Sequence, residues 1–155
     1  MIVGDGHERT WLQANLQRAD FTGILTGEAL SRAYANMDIF AFPSQTDTFG
    51  NGVLEALASG VPVVITSSGG PKYLVTHGVT GLVSADTPAF SQNIVALARD
   101  ADMRHRMRIR ARDFALCRYW HRIFEQIYDS YEYCLRTTRP VPRRETAPAI
   151  GRTPA

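Results

Sequence analysis

Two carboxylates eight residues apart, Asp47 and Glu55, flank the glycines Gly50 and Gly52 in the segment FPSQTDTFGNGVLEALASGVPVV, residues 42–64. Glycines at that place leave backbone amides uncovered where a helix begins. Uncovered amides and the helix dipole together make an anion site suited to phosphate. A carboxylate beside a phosphate is repelled by it unless it faces hydroxyl donors. Each acid is therefore either an acceptor for sugar or ribose hydroxyls, or an ordinary residue: Asp47 a loop carboxylate, Glu55 a solvated helix residue. The local pattern leaves both readings open.

Other chemistry-bearing groups are weaker. Gly4-x-Gly6 opens like a dinucleotide fingerprint, but Arg9 stands where the third glycine belongs, and a tight turn is the preferred reading. Asp100 and Asp102 have the form of an Asp-x-Asp metal motif. Between two helical segments they read instead as a helix cap and a dipole partner. His7, His77, His105 and His121, and likewise Cys117 and Cys134, lack metal-ligand spacing, so no metal site is expected. His77 reads as a cap on the short helix before it. No Gly-x-Ser-x-Gly elbow or Gly-Lys-Ser/Thr loop occurs.

The elements that must position these residues alternate. Ile2–Val3 is a β-like stub, which suggests a chain that begins inside a domain. A helix is expected over 7–18, a strand within 19–25, and a helix over 27–36 with Thr26 as N-cap and Leu30, Ala33 and Tyr34 on one face. Residues 38–42 form a strand stopped by Pro43. A polar loop leads to a helix over 51–59 ended by Gly60. Residues 62–66, Pro62 followed by four β-branched residues, read as a parallel strand buried on both sides. A turn at 67–70, a short helix near 71–76 and a strand over 81–84 follow. Helices are expected at 87–99, 101–116 and 118–136. The pattern is an α/β fold, a parallel sheet with helices on both faces. Ligands of such sheets sit beyond the carboxyl ends of the strands, here the loops after Phe42 and Thr66.

The 155 residues carry 17 basic and 15 acidic side chains, and 45% are hydrophobic, as in a soluble globular domain. Residues 1–98 hold four basic and eight acidic groups, whereas residues 99–155 hold thirteen arginines and seven acids. Arg104, Arg106, Arg108, Arg110 and Arg112 alternate, and a solvated face is the preferred reading. Contact with an anionic membrane is second, and nucleic acid is not expected, since no binding motif accompanies the charge. A proline- and arginine-rich tail, 137–155, is expected to be disordered. No secretory signal and no apolar run long enough to span a membrane occurs, so a cytoplasmic protein is expected.

The segment over residues 42–64 resembles the donor-binding signature of family 4 glycosyltransferases, which have the GT-B fold. Further matching stretches are Ile2–Gly6, Phe21–Gly23, Met37–Ser44, Gly69–Lys72 and Gly78–Val83, and Tyr119–Tyr128 is similar to the closing helix. The resemblance covers roughly residues 1–135. It implies the C-terminal, donor-binding half of a retaining glycosyltransferase that needs no metal and takes a UDP- or GDP-linked sugar. Glu55 would bind the ribose, and Asp47 would meet the sugar hydroxyls and is the catalytic candidate. Thr48, Phe49, Gly50, Asn51 and Leu54 would line the donor, with the amides of Phe49, Gly50 and Asn51 on the sugar and diphosphate. Gly4, Gly69 and Gly70 would form loops beside it. The family usually has Glu at the position of Asp47, one methylene longer.

Family members are about twice as long or more. The expected arrangement is therefore a donor domain over 1–136, without its first βα unit and without the acceptor domain, and with little or no turnover alone. A peripheral contact with the inner membrane face is compatible with it. The alternatives are an inactive remnant or nucleotide-binding module, and a basic protein that binds membrane surfaces. An epimerase on the same fold is disfavoured by the Thr46–Gly50 context.

Overall fold

The computed structural model describes residues 1–137. The elements are β1 (Ile2–Val3), α1 (Arg9–Asn15), β2 (Phe21–Gly23), α2 (Gly27–Ala35), β3 (Phe40–Phe42), α3 (Asn51–Ala58), β4 (Val63–Thr66), a single 3-10 turn (Pro71–Tyr73), β5 (Gly81–Ser84), α4 (Thr87–Arg99), α5 (Ala101–Leu116) and α6 (Trp120–Thr137). The chain divides into two compact units, Met1–Tyr119 and the segment from Trp120 onward. The helix expected to close the donor domain thus stands in a unit of its own. Nearly all of the tail expected to be disordered lies outside the described residues.

The α/β expectation holds, and every strand pair is parallel. The strands fall into two sheets, however, β1-β2 and β3-β4-β5. β1 and β3 do not pair, and a cleft of about 570 Å³ lies between them.

β4 is the centre of the larger sheet, in register Phe40–Val63 with β3 and Val63–Gly81 with β5. Its side chains alternate between two faces, as the strand period of two requires. Val63 and Ile65 pack with Tyr34 of α2, Val53, Ala56 and Leu57 of α3, and Ala111 of α5. Val64 packs on the other face with Leu82, Leu97 of α4 and Met107 of α5. Both faces are covered, which is why the run from Val61 to Ile65 has no polar side. No helix among the described residues is long and apolar enough to cross a membrane.

Several local expectations are sharpened. α3 ends as foreseen: Gly60 has φ +69°, Gly60 N–H donates to the Leu57 carbonyl at 2.9 Å, and Val61 N–H to Ala56 at 2.9 Å, the paired bonds of a Schellman end. Asp100 caps α5, its Oδ1 accepting from Met103 N–H at 2.7 Å. Asp86 caps α4 through Ala89 N–H at 2.8 Å. Thr26 has the extended backbone of an N-cap, but its side chain makes no capping bond.

Three expectations need correction. The helix near 71–76 is one turn only, because Thr76 is engaged by Thr80, just before β5, and His77 by β5 itself. Thr76 N–H donates to Thr80 Oγ1 at 2.9 Å, and His77 Nδ1 accepts from Val83 N–H at 3.0 Å. His77 therefore braces a strand and does not cap a helix. α1 is shorter at both ends than expected; at its end the Asn15 side chain donates to the Trp11 carbonyl at 2.8 Å. The arginine run, finally, is not a plain solvated face. Arg104 donates to the Leu97 and Ala98 carbonyls of α4 at 2.5 and 2.7 Å, Arg108 to the Met37 carbonyl at 3.4 Å, and Arg112 to the Ala58 carbonyl of α3. Spaced by four, these three share one face of α5. They bind carbonyls at or just beyond helix C-termini, where a cation complements the dipole.

Candidate functional site

The carboxyl ends of β3, β4 and β5 open into a cleft of about 320 Å³ lined by Pro43, Gln45, Thr66, Ser68, Ser84, Asp86 and Phe90, among others. Three loops meet there, one after each strand. Sequence reasoning placed the first two at this end and missed the third, Ser84–Thr87. Its only signal was position, since a polar Ser84 ends an otherwise apolar strand. Ser84 is buried, and its Oγ accepts from Asn93 Nδ2 at 2.9 Å.

The loop between β3 and α3 is shaped by its own polar side chains. Asp47 N–H donates to Ser44 Oγ at 3.2 Å, and Phe49 N–H donates to Asp47 Oδ1 at 2.9 Å. The Asp47 carboxylate thus turns the chain toward the helix while half-buried. Thr66, at the end of β4, donates from Oγ1 to the Ser44 carbonyl at 2.6 Å and anchors the loop base.

Gly50 opens α3 in the left-handed region, φ +91°. The first bond of the helix is Leu54 N–H to the Gly50 carbonyl, at 3.1 Å. The N–H groups of Asn51, Gly52 and Val53 precede it and are not used within the helix. No side chain caps this end, in contrast to α4 and α5.

The second glycine loop lies directly on the first. Gly70 N–H donates to the Asp47 carbonyl at 2.8 Å. A Cβ at Gly69 would stand 2.7 Å from the Asp47 carbonyl oxygen, and one at Gly70 would overlap the Thr48 carbonyl. These glycines are required by loop-on-loop packing before any ligand is considered.

Glu55 is exposed on α3. Its partner is Tyr34 of α2, whose phenol donates to the carboxylate. Burial, and then this bond and the negative charge of Glu55, push the Tyr34 phenol up to about 12. Tyr34 was read from the sequence only as part of an apolar helix face; a phenol four residues after an apolar Leu30 gives no sign of a polar partner. Leu54 is half-buried against the core. Thr48, Phe49 and Asn51 are exposed.

Gly4 lies apart from this loop pair, at the end of β1 with φ +118°. It lines a second hollow of about 230 Å³ with Asp5, Gly6 and Arg9. Arg9 closes the turn on Asp5, Nη1 to Oδ2 at 2.6 Å. That bond, followed by the Gly6 N–H bond, holds the Asp5 carboxyl below the usual range. The residue that breaks the dinucleotide fingerprint is therefore the one that fixes the turn. Among the described residues no three His, Cys, Asp or Glu side chains are grouped so as to hold a metal ion.

The structure thus brings together Asp47, Thr48, Phe49, Gly50, Asn51, Gly69 and Gly70, places Leu54 and Glu55 on the helix they open, and leaves Gly4 on the smaller sheet. The Phe49 amide, one of three expected to face a ligand, is already engaged by Asp47.

Residues 1–100 match the family described as glycosyl transferases group 1. The GDP-mannose-dependent alpha-mannosyltransferase of Mycolicibacterium smegmatis is 42% identical over 136 residues, 87% of this chain and 36% of that protein. The protein of the same name from Mycobacterium tuberculosis is 38% identical over 133 residues, 85% of this chain and 35% of that one. The chain spans about a third of the length of these curated relatives. Among solved structures, Anabaena HepE in complex with UDP superposes with a TM-score of 0.70 at 25% identity, over 84% of this chain and 40% of that one.

Proposed function

The chain belongs to the family of glycosyl transferases group 1, and from that premise we propose that it holds the nucleotide-sugar donor of an enzyme that transfers a mannosyl group from GDP-mannose to a hydroxyl acceptor. The observation that carries the proposal is the loop pair at the carboxyl ends of β3 and β4. Gly50 opens an uncapped α3 there, and Asp47 and the Gly69–Gly70 loop hold its entry in place. Mannose and guanosine enter from the names of the mycobacterial relatives. HepE, bound to UDP, makes uridine the competing base.

In this reading the amides of Gly50, Asn51 and Gly52 face the diphosphate, whose charge the helix dipole favours. Glu55 accepts from the ribose hydroxyls with the oxygen capacity that Tyr34 leaves it. Asp47 faces the sugar hydroxyls, and ligand binding competes for its bond with the Phe49 amide. Retention of the anomeric configuration and independence of metal follow from the family resemblance. The acceptor and further groups that neutralise the leaving diphosphate belong to other parts of a longer enzyme. Without them the largest electrostatic contribution to catalysis is incomplete, so the chain alone binds donor with little or no turnover.

Titration calorimetry with GDP and with UDP tests this. GDP should bind more tightly than UDP. Glu55→Gln should weaken GDP roughly 10- to 100-fold, the equivalent of about 1.5–3 kcal/mol for hydrogen bonds to a charged group. Absence of heat with either nucleotide would sink the donor reading, and robust mannosyl transfer by the chain alone would sink the half-enzyme reading.

A further inference from the structure

The cleft at the carboxyl ends of β3, β4 and β5 has polar groups that the donor reading leaves unused. Gln45, Ser68 and Thr87 line it with side chains that make no hydrogen bond among the described residues. Asp86 accepts the Ala89 amide on Oδ1, at 2.8 Å, and keeps Oδ2 open. Ser84 is 1% exposed, and its Oγ accepts from Asn93 Nδ2 at 2.9 Å, so its hydroxyl hydrogen is left to donate. A buried O–H without an acceptor costs free energy until something supplies one. In the hollow beside Gly4 the polar side chains bind each other instead, Arg9 Nη1 to Asp5 Oδ2 at 2.6 Å.

The lining also selects by charge. Among the described residues Asp86 is its one ionised side chain, and no lysine or arginine lines it. A phosphate or carboxylate is therefore disfavoured. Open donors and open acceptors side by side suit hydroxyls, each of which gives one hydrogen and accepts others. Phe90 and Pro43 add an apolar wall on which the C–H face of a ring can lie. A volume of about 320 Å³ is that of roughly ten waters, enough for one pyranose ring.

We infer that this cleft is a subsite for one neutral pyranose ring, held by the carboxamide of Gln45, the hydroxyls of Ser68, Ser84 and Thr87 and the open oxygen of Asp86. Gln45 stands two residues before Asp47, and Ser68 one before Gly69, so at most about 7 Å of chain separates them from the donor loops. The role of the ring follows from that position, and here the inference rests on the donor reading. The diphosphate lies at the start of α3 and the transferred sugar at Asp47, so a ring in the cleft belongs to the other reactant. The acceptor, held chiefly by other parts of a longer enzyme, is then a glycoside with a ring that extends into this cleft, and not a simple alcohol.

Methyl α-mannopyranoside and methyl α-glucopyranoside are titrated separately into the full 155-residue chain, and amide shifts are followed by NMR. Each is taken to about 100 mM, roughly a hundredfold above a millimolar dissociation constant. At least one should bind in the millimolar range and shift the amides of Gln45, Ser68, Ser84 and Thr87. Inorganic phosphate at matched ionic strength should not. Gln45 and Ser68 are exposed, so Gln45→Ala and Ser68→Ala should keep the melting temperature and each weaken the glycoside about fivefold, the equivalent of one hydrogen bond. No shift at those amides with either glycoside overturns the subsite. So do shifts elsewhere only, or phosphate that moves the same amides as strongly.

The titration is then repeated with saturating GDP-mannose. A glycoside that still binds supports the acceptor role. Displacement by GDP-mannose puts the donor's own sugar in the cleft and overturns that role. If GDP-mannose does not bind at all, the donor reading fails and the acceptor role with it, while the first titration still decides the subsite.

Discussion

At the scale of single residues, the most informative contact joins an exposed carboxylate to a buried phenol. Tyr34 packs in the main core, yet its hydroxyl reaches Glu55 on the neighbouring helix. Burial first, and then the bond to Glu55 and its negative charge, disfavour the phenolate, so folding favours the protonated form and raises the value from 10.0 to about 12. The sign follows. Below pH 10 the phenol is protonated in the folded and unfolded chains alike, and the stability that the buried neutral phenol contributes is fully present. As pH rises from 10.0 toward about 12 the unfolded chain releases its proton first, and that stability is lost. Denaturant melts at pH 9 and pH 11 should therefore show a drop in midpoint that Tyr34→Phe reduces. An equal drop in the variant would mean that other groups cause it. The same contact bears on function: Tyr34→Phe frees a Glu55 oxygen but loosens the carboxylate, so its effect on GDP binding reads how far Tyr34 orients Glu55.

At the scale of elements, helix ends separate what residue type reveals from what it does not. Asp100 and Thr26 both have N-cap residue types and extended backbone, but only Asp100 makes the bond. Asp100→Ala should cost about 1 kcal/mol in a chemical melt, and Thr26→Ala only a few tenths. Equal costs would show that the observed cap bond is not what distinguishes them. The strand β4, the helices α4 and α5 and the glycine end of α3 were legible because period, caps and breakers agree there. The split into two sheets was not, because alternation of elements states that strands are parallel but not which edges meet. Nor were the arginine contacts. Arg104, Arg108 and Arg112 have the same type and alternation as Arg106 and Arg110, and only the packing of α5 across the ends of α3 and α4 distinguishes them. In the site, Gly50 and Asp47 could be read from the loop sequence, whereas Tyr34 and Ser84 depend on contacts between distant segments.

For the whole molecule, the charge asymmetry of the sequence has a partly internal cause, since some of the excess arginine joins helices. The distribution of the core then decides which part of the chain the fold requires. Every member of the two core clusters, and every side chain packed against them, falls between Leu30 and Ala115. The candidate site lies within the same unit, Met1–Tyr119. α6, described by itself, is amphipathic, with Phe124, Ile127, Tyr128, Tyr131 and Leu135 exposed along one side. Its i, i+4 pairs, such as Arg136 with Glu132 at 3.0 Å, are exposed and contribute little. A chain ending at Tyr119 should accordingly keep a single cooperative thermal transition and bind GDP within a few-fold of the full chain. A lost transition, with GDP binding lost as well, would show that the segment from Trp120 onward is part of the folding unit and not an appendage to it.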